Sequence, residues 1–304
     1  MELVSRTRIE STESGNRDMK KIALGTLFFA LLVVLGLSVP GSPPVEAKAI
    51  SGPQNPQGNP VREVREIPKI EPKADEYLKA MSTYLANLKT YSFQVEESFD
   101  EVEEDGQKIQ MSNQRHLSVV RPNKVFGEDL GDSINSSFYY DGKTVSVYDR
   151  GQKTYATEKV PGTIDSMLED LHTRFDTHQT LADFLFSDPY KMFTENLLTG
   201  TYVGLHQVGK VKCHHLAFQQ KLIDWQIWID SGDQPLPRKF LITFKRQMDE
   251  PQYSATINHW DVNPKLSDTL FQFQPSEGVR KVDFLYRHAE SEARIKAGGK
   301  SGDR

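Results

Sequence analysis

Hydrophobic and polar positions alternate along most of this chain, and the clearest run lies between Leu222 and Phe244. Trp225, Ile227 and Ile229 alternate with Gln226, Trp228 and Asp230, the period expected of a strand with two different faces. Ser231, Gly232 and Asp233 supply turn chemistry, Pro235 and Pro237 hold the connection out of helix, and Phe240, Ile242 and Phe244 share one face of a second strand. Upstream, Tyr91, Phe93, Val95 and Phe99 share a face, Asp105-Gly106 marks a hairpin, and Lys108 to Val120 returns with Ile109, Met111, Leu117 and Val119. Arg121 to Lys124 breaks that run, and strands follow at 125–130, 136–140 and 144–149 and around Tyr155, parted by Gly131-Asp132, Asp141-Gly142 and Arg150-Gly151. Turns this tight predict antiparallel neighbours in an up-and-down meander. Further strands are expected at 202–208, 211–219, 252–262 and 279–285.

A period near four marks the helices. Leu78, Met81, Leu85 and Leu88 form one stripe behind a capping Asp75, and the stripe should lie on a sheet. Pro161-Gly162-Thr163 opens a second helix whose Ile164, Met167, Leu168, Leu171 and Phe175 share a face. Leu181 to Phe186 and Tyr190 to Leu198 read as two shorter helices separated by Asp188-Pro189. Helix, sheet, helical insert and sheet make an α+β plan, with a curled antiparallel sheet that approaches a barrel.

The ends of the chain differ from its body. Lys20 and Lys21 precede the apolar run Ile22 to Val39, and helix-breaking Pro40 to Pro44 and the small-residue sites Val45-Glu46-Ala47 and Ala47-Lys48-Ala49 follow. We therefore expect residues 1–47 to be a cleavable export signal, with Met19 as a candidate true start. An uncleaved anchor is the alternative, since about 20 apolar residues span a bilayer, and the breakers behind this run favour removal. No cysteine lies near the cleavage region, so a periplasmic, unlipidated mature protein without a stable membrane span is expected. Residues 48–73, rich in proline, read as a disordered tail, 74–286 as a single domain, and 287–304 as a charged C-terminal tail.

Composition narrows the functions. A formal net charge of -5 without a basic patch argues against nucleic acid, and one cysteine, Cys213, rules out an internal disulfide framework. Cys213-His214-His215 is the most tempting metal cluster, but on a strand His214 faces away from its two neighbours, so a metal would need His206 or His259 as well. No G-x-S-x-G, H-E-x-x-H or phosphate-cradling glycine loop is present, and Asp224, Asp230 and Asp261 sit at strand ends where turn capping explains them. No catalytic residue, cofactor or metal is expected. Trp225 and Trp228 should face opposite sides of the sheet, one of them under the helices.

Several stretches resemble known families. Trp228-Ile229-Asp230, a short turn and Pro235-Leu236-Pro237-Arg238-Lys239 resemble the strand-turn-strand of the LolA/LolB lipoprotein carriers. More closely, Tyr139-Tyr140-Asp141-Gly142-Lys143, Val160 to Ile164, His214-His215-Leu216, Asp224 to Asp230, Pro237-Arg238-Lys239 and His259-Trp260-Asp261 resemble a family of predicted periplasmic proteins, a domain of unknown function with that kind of fold. The likeness runs from about Ala74 to Leu285. It implies a LolA-like incomplete β-barrel covered by helices on its concave side, with 163–175 and 180–198 as the lid.

The expected function is accordingly non-catalytic: binding or carrying a lipid or other hydrophobic ligand in a half-barrel cavity. Phe93, Met111, Phe138, Tyr140, Trp225 and Ile227 are the expected lining, with Met167, Leu168 and Leu171 on the lid side. A cell-envelope module that binds a protein partner through the sheet edge or outer aromatic face is the alternative, and a hydrolase of unknown class the second alternative.

Overall fold

The computed structural model describes residues 69–103, 105–175 and 180–284, together with Lys21 and Ile22. The expected export signal (Lys21 and Ile22 apart), the proline-rich stretch as far as residue 68 and the C-terminal tail lie outside the described residues. Two-residue strands β1 (Lys21–Ile22) and β2 (Lys69–Ile70) precede helix α1 (Pro72–Asn87). The alternating first half then forms β3 (Thr90–Val102), β4 (Lys108–Val120), β5 (Lys124–Gly131), β6 (Asn135–Tyr140), β7 (Thr144–Asp149) and β8 (Thr154–Lys159). Each pairs antiparallel with the next, as the tight turns require.

The helical insert comprises α2 (Ile164–Phe175), a 3-10 turn at Ala182–Phe184, and α3 (Pro189–Thr194). Thr163 caps α2 by accepting from the Ser166 amide at 3.2 Å, and Asp188 caps α3 by accepting from Lys191 at 3.0 Å. The second meander is β9 (Leu197–Val208), β10 (Val211–Gln220), β11 (Ile223–Asp230), β12 (Pro237–Phe244) and β13 (Gln252–Asp261). After a 3-10 turn at Asp268–Phe271 come the short β14 (Arg280–Lys281) and β15 (Asp283–Phe284).

β13 joins the two meanders by pairing with β3, so one sheet of thirteen strands runs β14-β8-β7-β6-β5-β4-β3-β13-β12-β11-β10-β9-β2. Its two ends do not pair with each other; the sheet is large, curled and unclosed. β15 pairs in parallel with β1 beside it. One sheet face is apolar, and α1, α2 and α3 contribute Leu78, Met81, Leu85, Met167, Leu171 and Phe193 to the same buried cluster as that face. α1 lies against β9, β10, β11 and α3.

The structure departs from the sequence reading at the edges of elements. Asp75 does not cap α1; the helix starts at Pro72 behind Glu71, and Asp75 instead accepts a hydrogen bond from Tyr190 in α3. Residues 69–73, expected in the tail, are in regular structure because Lys69 and Ile70 pair with Thr199 and Gly200 and the Glu71 carboxylate accepts from the Tyr202 amide at 2.9 Å. Leu181 to Phe186 reduces to one 3-10 turn. The helix expected at 190–198 ends at Thr194, since Asn196 adopts a left-handed φ of 65°, which asparagine tolerates, and Leu197 then pairs with Gln220. Ile109 is 40% exposed because the β3–β4 hairpin outruns its neighbours: β5 ends at Gly131 opposite Asn113. The last expected strand is divided into β14 and β15.

Candidate functional site

Strand parity brings the residues expected to line a cavity onto one face. Phe93, Phe138, Tyr140, Trp225 and Ile227 are buried on the apolar face of the sheet, and Met167, Leu168 and Leu171 are buried on α2. All eight belong to one cluster, against which the half-buried Met111 packs near the end of the β3–β4 hairpin. Across the sheet the rows are continuous: Phe93 lies opposite Leu117, Leu117 opposite Gly127, and Gly127 opposite Phe138. Phe218, Trp225 and Ile242 make the matching row in the second meander. Trp225 stacks on Phe218 at 4.2 Å between centroids and meets Phe193 of α3 at 5.5 Å. Side chains of sheet and helices therefore meet directly in this region.

Polar links tie the helical insert to the sheet. Arg121, at the end of β4, donates through Nη1 to the Leu185 carbonyl at 2.6 Å and through Nη2 to the Tyr91 hydroxyl at 3.3 Å. The Ile164 amide donates to the Pro122 carbonyl at 2.8 Å, and the Tyr140 hydroxyl to Pro161 at 2.6 Å. Within the insert, the Asp165 carboxylate accepts from the amide and hydroxyl of Ser187. Burial, reduced by Arg121, pushes the Tyr91 hydroxyl up to about 12, so it stays protonated at neutral pH.

Asp183 is a carboxyl group of the helical insert with a raised pKa. Burial first, and Glu195 second, push its carboxyl up to about 6. The folded chain then keeps a proton that the unfolded chain releases near about 4, so stability falls as pH rises from about 4 to about 6 and is level above. Asp183→Asn should remove that slope, gaining about 1–2 kcal/mol at pH 7 after discounting for partial exposure and nothing at pH 4. Urea melts at the two pH values check the sign.

A charged cluster interrupts the apolar face. Glu97, Asn113, Arg115, Asp129 and Tyr253 are each buried to 7% exposure or less. Arg115 donates through Nε to Asp129 at 2.6 Å and pairs through Nη1 with Glu97 at 3.2 Å. Asn113 Nδ2 donates to Glu97 Oε2 at 2.7 Å and Asp129 Oδ1 at 3.2 Å, and the Tyr253 hydroxyl donates to Glu97 Oε1 at 2.6 Å. Burial opposes the Arg115 charge, but Asp129 and then Glu97 outweigh it and hold the guanidinium above its ordinary range. Burial and then the Glu97 charge likewise raise the Tyr253 hydroxyl, which remains a donor. The sequence reading passed over this group. Its signal was present: Glu97 shares the parity of Phe93, Val95 and Phe99, and Arg115 that of Leu117 and Val119.

Two clefts open elsewhere. One, of about 300 Å³, is bounded by Gly131, Asp132, Asn135, Ser136, Asp149 and Gln152. The other, of about 310 Å³, lies between Tyr139, Thr144 and Tyr155 of the outer face and Phe271, Phe273 and Gln274.

The remaining candidates fall where strand parity put them. Cys213 and His215 face outward with Trp228, opposite Asp230 and Trp228 on β11, while His214 faces α1 and stacks on Tyr77 at 3.6 Å. His215 is held by His206 at 3.0 Å and Gln226 at 2.9 Å and stacks on Trp228 at 4.0 Å. Burial is the main cause that lowers His214 and His215 below the usual histidine range. Among the described residues, no three His, Cys, Asp or Glu side chains converge as a metal set. Asp230 accepts from the Gly232 amide and pairs with Arg238, Asp261 accepts from the Asn263 amide, and Asp224 pairs with Lys245. Among the described residues, no helix is long and apolar enough to cross a membrane.

Comparison with known proteins gives a family and a set of folds. The model of a family described as "Predicted periplasmic protein (DUF2092)" matches residues 74–285. No curated protein matches the chain. Among solved structures, an uncharacterized conserved protein from Thermus thermophilus is 10% identical, with 69% of this chain and 99% of that one covered and a TM-score of 0.42. The lipoprotein LppX of Mycobacterium tuberculosis is also 10% identical, covering 65% and 100% of the chains at a TM-score of 0.36. A LolA superfamily protein from Nitrosomonas europaea is 8% identical, covering 66% and 97% at a TM-score of 0.31. Likenesses at this level carry no functional argument.

Proposed function

The chain belongs to the DUF2092 family of predicted periplasmic proteins, and from that premise we propose that it is a non-catalytic protein that holds a lipid or another hydrophobic ligand between its sheet and its helical cover. The observation that carries this reading is the single apolar cluster shared by both meanders and the three described helices. On this reading the apolar face is the concave side of the half-barrel, and Phe93, Met111, Phe138, Tyr140, Trp225 and Ile227 meet the ligand once Met167, Leu168 and Leu171 swing away with α2. Each methylene transferred from water is worth about 0.8 kcal/mol, so an alkyl chain of ordinary lipid length can offset parting the cover from the sheet. On the same reading, residues 1–47 are an export signal that is cleaved, and the mature protein is unlipidated.

Arg121 makes the reading testable, since its bond to Leu185 latches the cover. Arg121→Met should speed the uptake of a fluorescent fatty acid several-fold, because an opening that breaks a charge-assisted hydrogen bond of about 1.5–3 kcal/mol becomes easier. Native mass spectrometry of wild-type protein purified from periplasm should show a bound lipid-sized mass. No bound mass and no uptake by either protein would sink the proposal.

A protein partner is the second reading, favoured by the edge of β9. β2 covers that edge at Thr199 and Gly200, whereas Val203 and Leu205 farther along are 45% and 51% exposed. A strand-adding partner would pair there. One stoichiometric partner captured with no lipid bound, and lost with Leu205→Lys, would favour this reading.

A further inference from the structure

The cluster around Arg115 carries more charge than an apolar face requires. Two carboxylates, Glu97 and Asp129, meet one guanidinium, so the formal charge is one negative in excess. Buried ion pairs are often replaceable by well-packed apolar side chains without loss, so stability alone does not account for this one. Its spare capacity is also one-sided. The Asn113 amide points two contacts of one atom at carboxylate oxygens, so that atom is the nitrogen, and its Oδ1 is left buried without a partner. That oxygen faces Gly131, lying 2.8 Å from where a Cβ would stand. Gly131 is a wall of the 300 Å³ cleft.

A polar row connects the cleft to the cluster. Arg115 lies opposite Asp129, Asp129 opposite Ser136, Ser136 opposite Asp149, and Asp149 opposite Thr154, all on one face. Ser136 and Asp149 also line the cleft. At the far end Thr154 Oγ1 is buried without a hydrogen-bond partner. Asp132 stands at the mouth, where the amide and hydroxyl of Ser112 donate to it and lower its pKa. Beside this row runs the apolar row Leu117, Gly127, Phe138 and Val147.

We propose that the row from the cleft to Glu97, Asn113 and Asp129 receives the primary ammonium head of an amphiphile, whose alkyl chain lies along the neighbouring apolar row. An ammonium group brings three donors and no acceptor, which matches an unpaired amide oxygen and an excess carboxylate charge. A phosphate or carboxylate head would bring acceptors and negative charge to a site already supplied with both. The inference rests on the hydrophobic-ligand reading and names its headgroup chemistry. An aminophospholipid and a free long-chain amine share that chemistry.

Binding of dodecylammonium, dodecanol and ethylammonium to the full chain, measured by calorimetry, tests it. Dodecylammonium should bind at least about tenfold more tightly than dodecanol, a difference of about 1.4 kcal/mol. Glu97→Gln should abolish that preference in a variant that a urea melt shows to be folded, and a folded variant that keeps the preference would overturn the inference. Equal binding of the two twelve-carbon ligands would overturn this inference and leave the hydrophobic-ligand reading intact. Failure of all three to bind would overturn both. Ethylammonium binding as tightly as dodecylammonium would overturn the place assigned to the alkyl chain. Uptake from vesicles of ethanolamine phospholipid but not glycerol phospholipid would identify a lipid as the source, and uptake restricted to dodecylammonium a free amine.

Discussion

Trp225→Ala should destabilise the protein by about 3–5 kcal/mol, the range for large aromatic truncations in a packed core. The indole is 2% exposed and sits where three layers of contacts converge: Phe218 on β10, Phe240 on β12, and Phe193 on α3. Phe218 and Phe240 are held by backbone pairing on both sides, so the space left behind cannot collapse fully. At roughly 2–4 °C per kcal/mol for a domain of this size, the melting temperature should fall by about 6–20 °C. Trp228→Ala is the internal comparison. It faces outward, half-buried, against His215 and Lys239, and should cost less than about 1.5 kcal/mol. Equal losses at the two positions in urea melts would show that the faces of β11 had been assigned wrongly.

That pair of positions also shows what was legible in the sequence and why. Strand parity is local and strict, so the opposite facings of Trp225 and Trp228, and of Cys213 and His214, follow from counting by two. Tight turns set strand order just as directly, and β3 to β8 and β9 to β13 pair in sequence. Element ends were less legible because they depend on partners distant in the chain. Lys69 and Ile70 become a strand through β9, some 130 residues on, as Tyr202 binding Glu71 shows. Leu197 leaves the helical pattern because β10 offers it a pairing partner. The charged cluster was missed for a related reason. Glu97 and Arg115 each break an apolar face alone, and a single break reads as a surface position. Their meaning appears when β3, β4 and β5 are aligned so that Asn113 falls opposite Glu97 and Arg115 opposite Asp129.

Removing the cation of that cluster separates its charge from its bulk. Arg115→Met preserves most of the side-chain volume and strands Glu97 and Asp129 at about 1% exposure, so it should cost about 3–5 kcal/mol at neutral pH. Adding Glu97→Gln and Asp129→Asn to the same chain removes the stranded charge while keeping hydrogen-bonding atoms beside Asn113 and Tyr253. The triple variant should therefore recover most of the loss, since a buried ionic group replaced as a whole is often close to neutral. If the triple variant is as unstable as Arg115→Met, the cost lies in lost packing and the cluster is a structural strut. Recovery together with loss of the ammonium preference would mean that the fold tolerates an uncharged interior at this point, and that the charges of Glu97, Arg115 and Asp129 serve the ligand.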